Sequence, residues 1–104
     1  MQWFQAQVTL DDFEDARALL RKLVEERITV SGTIVGPVVS IEWNRGVREN
    51  ADRWLVLALS SNGRIHDLTN RILQEFGQDS VELIVLPVPF GDRRYLDGLL
   101  TRQL

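Results

Sequence analysis

Few residues in this chain could do chemistry. There is one histidine, His66, and no cysteine. Soft-metal centres need several imidazole or thiolate ligands at set spacing, and thiolate catalysis needs a cysteine. Those chemistries lack their groups here. His66 follows Ile65 on a stretch of helical period but lies off the apolar stripe. An exposed helix histidine is the simpler reading of it. Three carboxylates, Glu42, Glu49 and Asp52, flank an Arg45-Gly46 turn. Converging carboxylates hold a hard cation, but a solvated loop asks less of them. Asp92 follows Gly91 and precedes an amphipathic tail, where it suits a helix cap that accepts backbone N–H bonds; Gly91 is free to take positive φ in the turn. Trp43, Trp54 and Tyr95 are large amphipathic groups of the kind that fill cores and interfaces. No serine sits in a G-x-S-x-G context, and S-S-N-G at 60–63 is a turn, not a phosphate loop. We expect no catalytic residue, no resident cofactor and no metal ligand.

Bulk properties narrow the class further. At 104 residues and 44% hydrophobic, the chain is read as a single domain, 1–104, with a small core. Its net charge of −3, with twelve scattered basic residues, argues against nucleic acid as a partner. No apolar run approaches the ~18 residues that span a bilayer. MQWFQAQVTL at the start lacks a basic-then-apolar leader pattern. The expectation is a soluble, cytoplasmic protein with no membrane partner.

The elements that must position those residues follow from periodicity. Trp3–Leu10 alternates, with Phe4, Ala6, Val8 and Leu10 on one face of a strand. Asp11 or Asp12 is placed to cap a helix over 12–28, and Asp11 with Glu14 has capping-box spacing. The stripe is Phe13, Ala16, Leu20, Leu23, Val24 and Ile28. Thr29–Trp43 reads as a second strand, bent at Gly36-Pro37. VRENAD at 47–52 reads as a polar connection, and Arg53–Ser60 as a third strand, apolar on both faces. Ile65, Leu68, Ile72, Leu73 and Phe76 form a second helical stripe, stopped by Gly77. The fourth strand lies within VELIVLPV at 81–88. Pro87 and Pro89 each lack an N–H, which suits a sheet edge. After it, Tyr95, Leu96, Leu99 and Leu100 share one face of a short final helix.

The order β-α-β-β-α-β predicts an α+β, ferredoxin-like sandwich: one antiparallel sheet, both main helices on one face, first and third strands central. Such helices leave the other sheet face bare. The third and fourth strands are apolar on both faces, so the bare face needs a partner, and a homo-oligomer is expected. Partial cover by the C-terminal tail is the plainer alternative. Two enzymes and binders share the order but fit poorly. An acylphosphatase-like site needs a phosphate cradle after the first strand, where VTLDDFED is acidic. An RNA-binding RRM needs exposed aromatics beside basic groups on the third strand, where RWLVLALS offers Trp54 with aliphatics, and the overall charge is wrong for it.

ELIVLPV at Glu82–Val88, followed by Gly91-Asp92 and Tyr95-Leu96, resembles the C-terminal signature of the CutA family of divalent-cation tolerance proteins. VEERITVSGTI at Val24–Ile34 is similar to that family's helix-to-strand junction, and Trp43 with Gly46 to its Trp-x-Gly hairpin with a short insertion. The resemblance implies a homotrimer related to PII-type signalling proteins, with long second and third strands reaching neighbouring subunits. It implies a part in copper or other divalent-cation tolerance, or in signalling, without catalysis. It also implies a cleft between subunits lined by Trp43, Asp92 and Tyr95, where a divalent cation or small molecule would bind weakly. Ser31, Ser60, Phe90 and Phe76-Gly77-Gln78 stand where the family often has Cys, Lys, His and His-Pro-Tyr, so metal binding is expected to be weak or absent. A small-molecule-sensing regulatory domain of PII or ACT type is the alternative.

Overall fold

The computed structural model describes residues 2–77 and 81–103. Its elements are β1 (Trp3–Leu10), α1 (Phe13–Glu25), β2 (Ser31–Trp43), β3 (Val47–Ser61), α2 (Ile65–Phe76), β4 (Glu82–Val88) and α3 (Arg93–Gln103). The strands form one antiparallel sheet in the order β2-β3-β1-β4. The central pair is β1 and β3, and the proline-bearing β4 is an edge. This is the ferredoxin-like α+β architecture.

Each helix forms for local reasons. Asp12 takes extended backbone and accepts the Asp15 N–H at 3.1 Å, so it, and not the Asp11–Glu14 box, caps α1. The helix ends at Glu25, earlier than the apolar spacing suggests. Arg27 turns left-handed at φ 60°, and the Ile28 N–H folds back onto the Leu23 carbonyl at 2.9 Å. Ile28 therefore stays against the core although it has left the helix. The buried stripe of α1 is Ala16, Leu19 and Leu23. Leu19 was missing from the sequence reading, whereas Phe13 and Val24 are exposed. In α2 the buried residues are Ile65, Leu68 and Ile72, as the period demands, and Gly77 at φ 79° stops the helix. These two stripes meet Ala6, Val8, Val56 and Ala58 on one sheet face, and that is the core.

The main correction concerns β3. VRENAD at 47–52 is not a connection but the first half of this strand, paired with β2 as far as Trp43↔Val47. Beyond the Leu10↔Trp54 pair, β1 no longer accompanies β3. Residues 38–53 therefore form a two-stranded ribbon that projects from the sheet and closes through left-handed Arg45 and Gly46. The molecule is accordingly long, 45 × 26 × 21 Å. Val39, Ile41 and Trp43 alternate onto one face of the ribbon with Val47, and all four are exposed.

The second correction concerns α3. It has eleven residues, more than the short tail expected. Leu99 is fully buried, and Leu96 and Leu100 share a cleft with Trp3, whose side chain leaves the face opposite the main core. One end of the second sheet face is thus covered from within the chain. The rest is not: Val35, Ile84 and Leu86 remain exposed, and Leu55, Leu57 and Leu59 are half-buried.

Leu68 has no exposed surface and sits between α2 and the sheet. Leu68→Ala is expected to cost roughly 2–5 kcal/mol. Urea unfolding of both proteins at equal concentration checks this; an unchanged midpoint would show that the core is placed wrongly.

Candidate functional site

A concave corner lies where β4 hands over to α3. Asp92 Oδ1 accepts the Tyr95 N–H at 3.0 Å, and the Asp92 carbonyl accepts the Leu96 N–H at 3.0 Å. Asp92 thus caps α3, as its position suggested. Gly91 is not among the glycines at positive φ. It is small because α3 folds over it: a Cβ there would lie 2.9 Å from Leu96 Cδ1. Beside this corner runs an open cleft of about 620 Å³, with Trp3, Val88, Phe90, Leu96 and Leu100 as its apolar wall and Arg93 and Asp97 as its charged groups. Phe90 is 90% exposed. Such a cleft can take an apolar or aromatic group and offer one charge of each sign to a polar end. Sequence reading missed Trp3, although a tryptophan on the polar face of an alternating strand was the available signal.

Trp43 is nowhere near this corner in a single chain. It pairs with Val47 at the ribbon tip, whereas Val88 and Ser61 flank Trp3 at the other end of the sheet. Fourteen steps of β3 separate Val47 from Ser61, so the two ends lie far apart along the 45 Å length of the molecule. The structure brings Asp92 and Tyr95 together and leaves Trp43, 80% exposed, at the opposite end. Only a second copy could bring the three into one cleft.

The remaining polar candidates are solvated or occupied. Glu42, Glu49 and Asp52 are exposed along the ribbon, and His66 is exposed on α2. Among the described residues no three His, Cys, Asp or Glu side chains gather as a metal site would need. The residues present do not fit a soft-ligand divalent-cation centre. Ser60 is buried and donates to the Ile28 carbonyl at 2.7 Å, tying the end of β3 to the α1–β2 junction. Phe76 and Gly77 end α2; Gln78 lies outside the described residues. No helix among the described residues is long and apolar enough to cross a membrane.

One buried charge escaped the sequence reading altogether. Arg53 is 8% exposed, on the half-bare face of β3 ahead of Leu55, Leu57 and Leu59. Its Nε donates to Asp11 Oδ1 at 2.9 Å, and its Nη2 donates to Glu82 Oε2. The hydrogen bond to Glu82, outweighing the desolvation that works against it and aided by Asp11, holds the guanidinium above its ordinary pKa. Strand register carries the signal: Thr9 pairs with both Leu55 and Glu82, which sets Asp11 and Glu82 together on the β1 side of position 53.

With this geometry in place, the comparisons with known proteins decide the lineage. The model of the CutA1 divalent ion tolerance protein family matches residues 4–100. The chain belongs to the CutA family. It is 31% identical over 93 residues to the divalent-cation tolerance protein CutA of Thermus thermophilus, covering 88% of this chain and 89% of that one. The crystal structure of a Thermus thermophilus CutA1 superposes with a TM-score of 0.80 at 29% identity, covering 91% and 92% of the two chains. CutA1 from Oryza sativa gives a TM-score of 0.86 at 23% identity over 98% and 94%. A CutA from Archaeoglobus fulgidus, described as periplasmic, gives 0.85 at 14% identity over 98% and 99%. The last two show a shared fold.

If Asp92 acts as the cap of α3, Asp92→Ala removes the acceptor and loosens the helix by about 0.5–2 kcal/mol. Amide exchange along 93–102 should quicken in that variant and stay near the parent rate in Asp92→Asn. Equal rates in all three proteins would remove Asp92 from the capping role.

Proposed function

We propose that the chain works as a CutA-type homotrimer in divalent-cation tolerance, copper included, or in the signalling that accompanies it, and that it does so without catalysis. The apolar surface left bare on the subunit supports assembly. Val35, Ile84 and Leu86 on the sheet, and Val39, Ile41, Trp43 and Val47 on the ribbon, are all exposed. Each such side chain contributes about 1.5–3 kcal/mol when fully buried. A two-stranded ribbon on its own is marginal in water, so a ribbon of this length needs something to lie against. A neighbouring subunit supplies both needs at once, and three copies close a ring without leaving an open end.

Within that assembly, Trp43 of one subunit meets the Asp92–Tyr95 corner of the next, forming a small-molecule cleft. Its walls are aromatic and carboxylate, with no thiolate or imidazole. The cleft therefore suits a weakly held cation or small molecule better than a tightly bound copper ion. The cytoplasm, expected from the sequence, is carried as the site of action. Fractionation of cells checks it, given that the Archaeoglobus fulgidus protein of this fold is described as periplasmic.

Light scattering should give three times the 11.9 kDa chain mass at micromolar concentration; a stable single subunit would end the assembly reading. Cupric ion should leave the thermal midpoint of the assembly unmoved. A ligand at ~100 times its Kd adds ~2.7 kcal/mol, and a shift of that size would overturn the weak-metal reading.

A further inference from the structure

The ribbon is jointed to the sheet at one place, and the buried arginine sits at that joint. Between the Val35↔Leu55 and Val38↔Arg53 pairs, β2 advances three residues to two on β3. Between Val38↔Arg53 and Ser40↔Asn50, β3 advances three to two on β2. Each shift is a bulge, and a bulge bends its strand and increases local twist. The two lie on opposite strands and bracket the single pair Val38↔Arg53. Asp52, within the second bulge, adopts left-handed φ of 57°. Within the first, a Cβ on Gly36 would lie 2.9 Å from the Arg53 carbonyl oxygen, so the strands are in close contact there.

We propose that Arg53 is a positioning residue for self-assembly. Its fork to Asp11 and Glu82 ties the ribbon root to the ends of β1 and β4 and so sets the direction in which the ribbon leaves the sheet. Two bulges alone bend a ribbon but leave its angle loosely held. A guanidinium is planar and donates in fixed directions, so two carboxylates on separate elements fix both its position and its orientation. Asp11 belongs to the β1–α1 connection and Glu82 opens β4, so the two anchors lie on elements that do not enter the ribbon. A ribbon held at one angle meets the neighbouring subunit in register, whereas a swinging ribbon loses part of that encounter to conformational freedom. The proposal rests on the assembly reading above and assigns the residue that governs it.

The experiment compares the parent chain with Arg53→Met, Arg53→Lys and Glu82→Gln. Three readouts are followed: mass against concentration, amide exchange along the ribbon, and amide exchange in α1 and α2. Arg53→Met is expected to raise the concentration at which the assembly dissociates, and to speed exchange at 38–52, by about tenfold or more, the equivalent of losing one charge-assisted bond. The helices should keep their parent rates. Arg53→Lys, with one compact charge and no fork, and Glu82→Gln, with a neutral acceptor, should fall between. Uniform quickening of helices and ribbon together, or unchanged mass and ribbon exchange in Arg53→Met, overturns the proposal. If Arg53→Met fails to fold, Glu82→Gln and Arg53→Lys carry the same comparison. A parent chain that is monomeric removes the assembly reading, and localised ribbon exchange then decides the clamp by itself.

Discussion

The sheet carries apolar side chains on both faces, and α1 and α2 cover only one of them. Everything distinctive in this subunit follows from that imbalance. One face holds Ala6, Val8, Val56 and Ala58 under the two helices and makes an ordinary small core. The other holds Leu55, Leu57 and Leu59 on β3 and Ile84 and Leu86 on β4, and α3 reaches only the end near Trp3. Apolar area left in water forfeits about 25 cal/mol per Å². Among the described residues no further element lies over the uncovered part. The ribbon adds a second demand of the same kind, because its stripe of Val39, Ile41, Trp43 and Val47 has no layer beneath it. The proposed association would meet both demands, and the family to which the chain belongs shares the same fold.

Much of the fold is legible in the residues because period and punctuation agree. β1 alternates cleanly, α2 has an apolar stripe and a terminal glycine, and β4 combines a strand pattern with prolines that only an edge tolerates. The failures share a cause as well. VRENAD carries no alternation because both its faces meet water, and its extended form is imposed by pairing with β2, which leaves no mark in local composition. Leu19 was lost from the α1 stripe because Leu19 and Leu20 are adjacent and spacing alone does not choose between them; the chain buries Leu19. The length of β3 has a consequence for the site. With VRENAD read as a loop, Trp43 had no fixed distance from Asp92 and Tyr95. With it paired, the two groups stand at opposite ends of the molecule. Arg53 was invisible for a related reason: its partners come from strands remote in sequence and are brought together only by register.

Two polar positions that the sequence resemblance singled out, Ser60 and Ser31, are used structurally. Ser60 spends its hydroxyl on a main-chain carbonyl inside the fold. Phe90 presents an exposed ring beside the cleft, and Ser31 is an ordinary ladder residue opposite Leu59. What the cleft offers is an apolar wall with Arg93 and Asp97 as its charged groups. These groups recognise shape and weak polarity better than they bind a thiophilic ion.

Pro87 leaves β4 one hydrogen-bond donor short on a strand whose outer edge is unpaired. A lone subunit carries an apolar sheet face and an unpaired strand border at the same time, the combination that favours fibrillar stacking. A gap in the donor row interrupts such stacking while leaving side-chain burial between proper partners untouched. Pro87 thus makes that border a poorer template for a stray strand, and the protection counts most where many unassembled chains are crowded together.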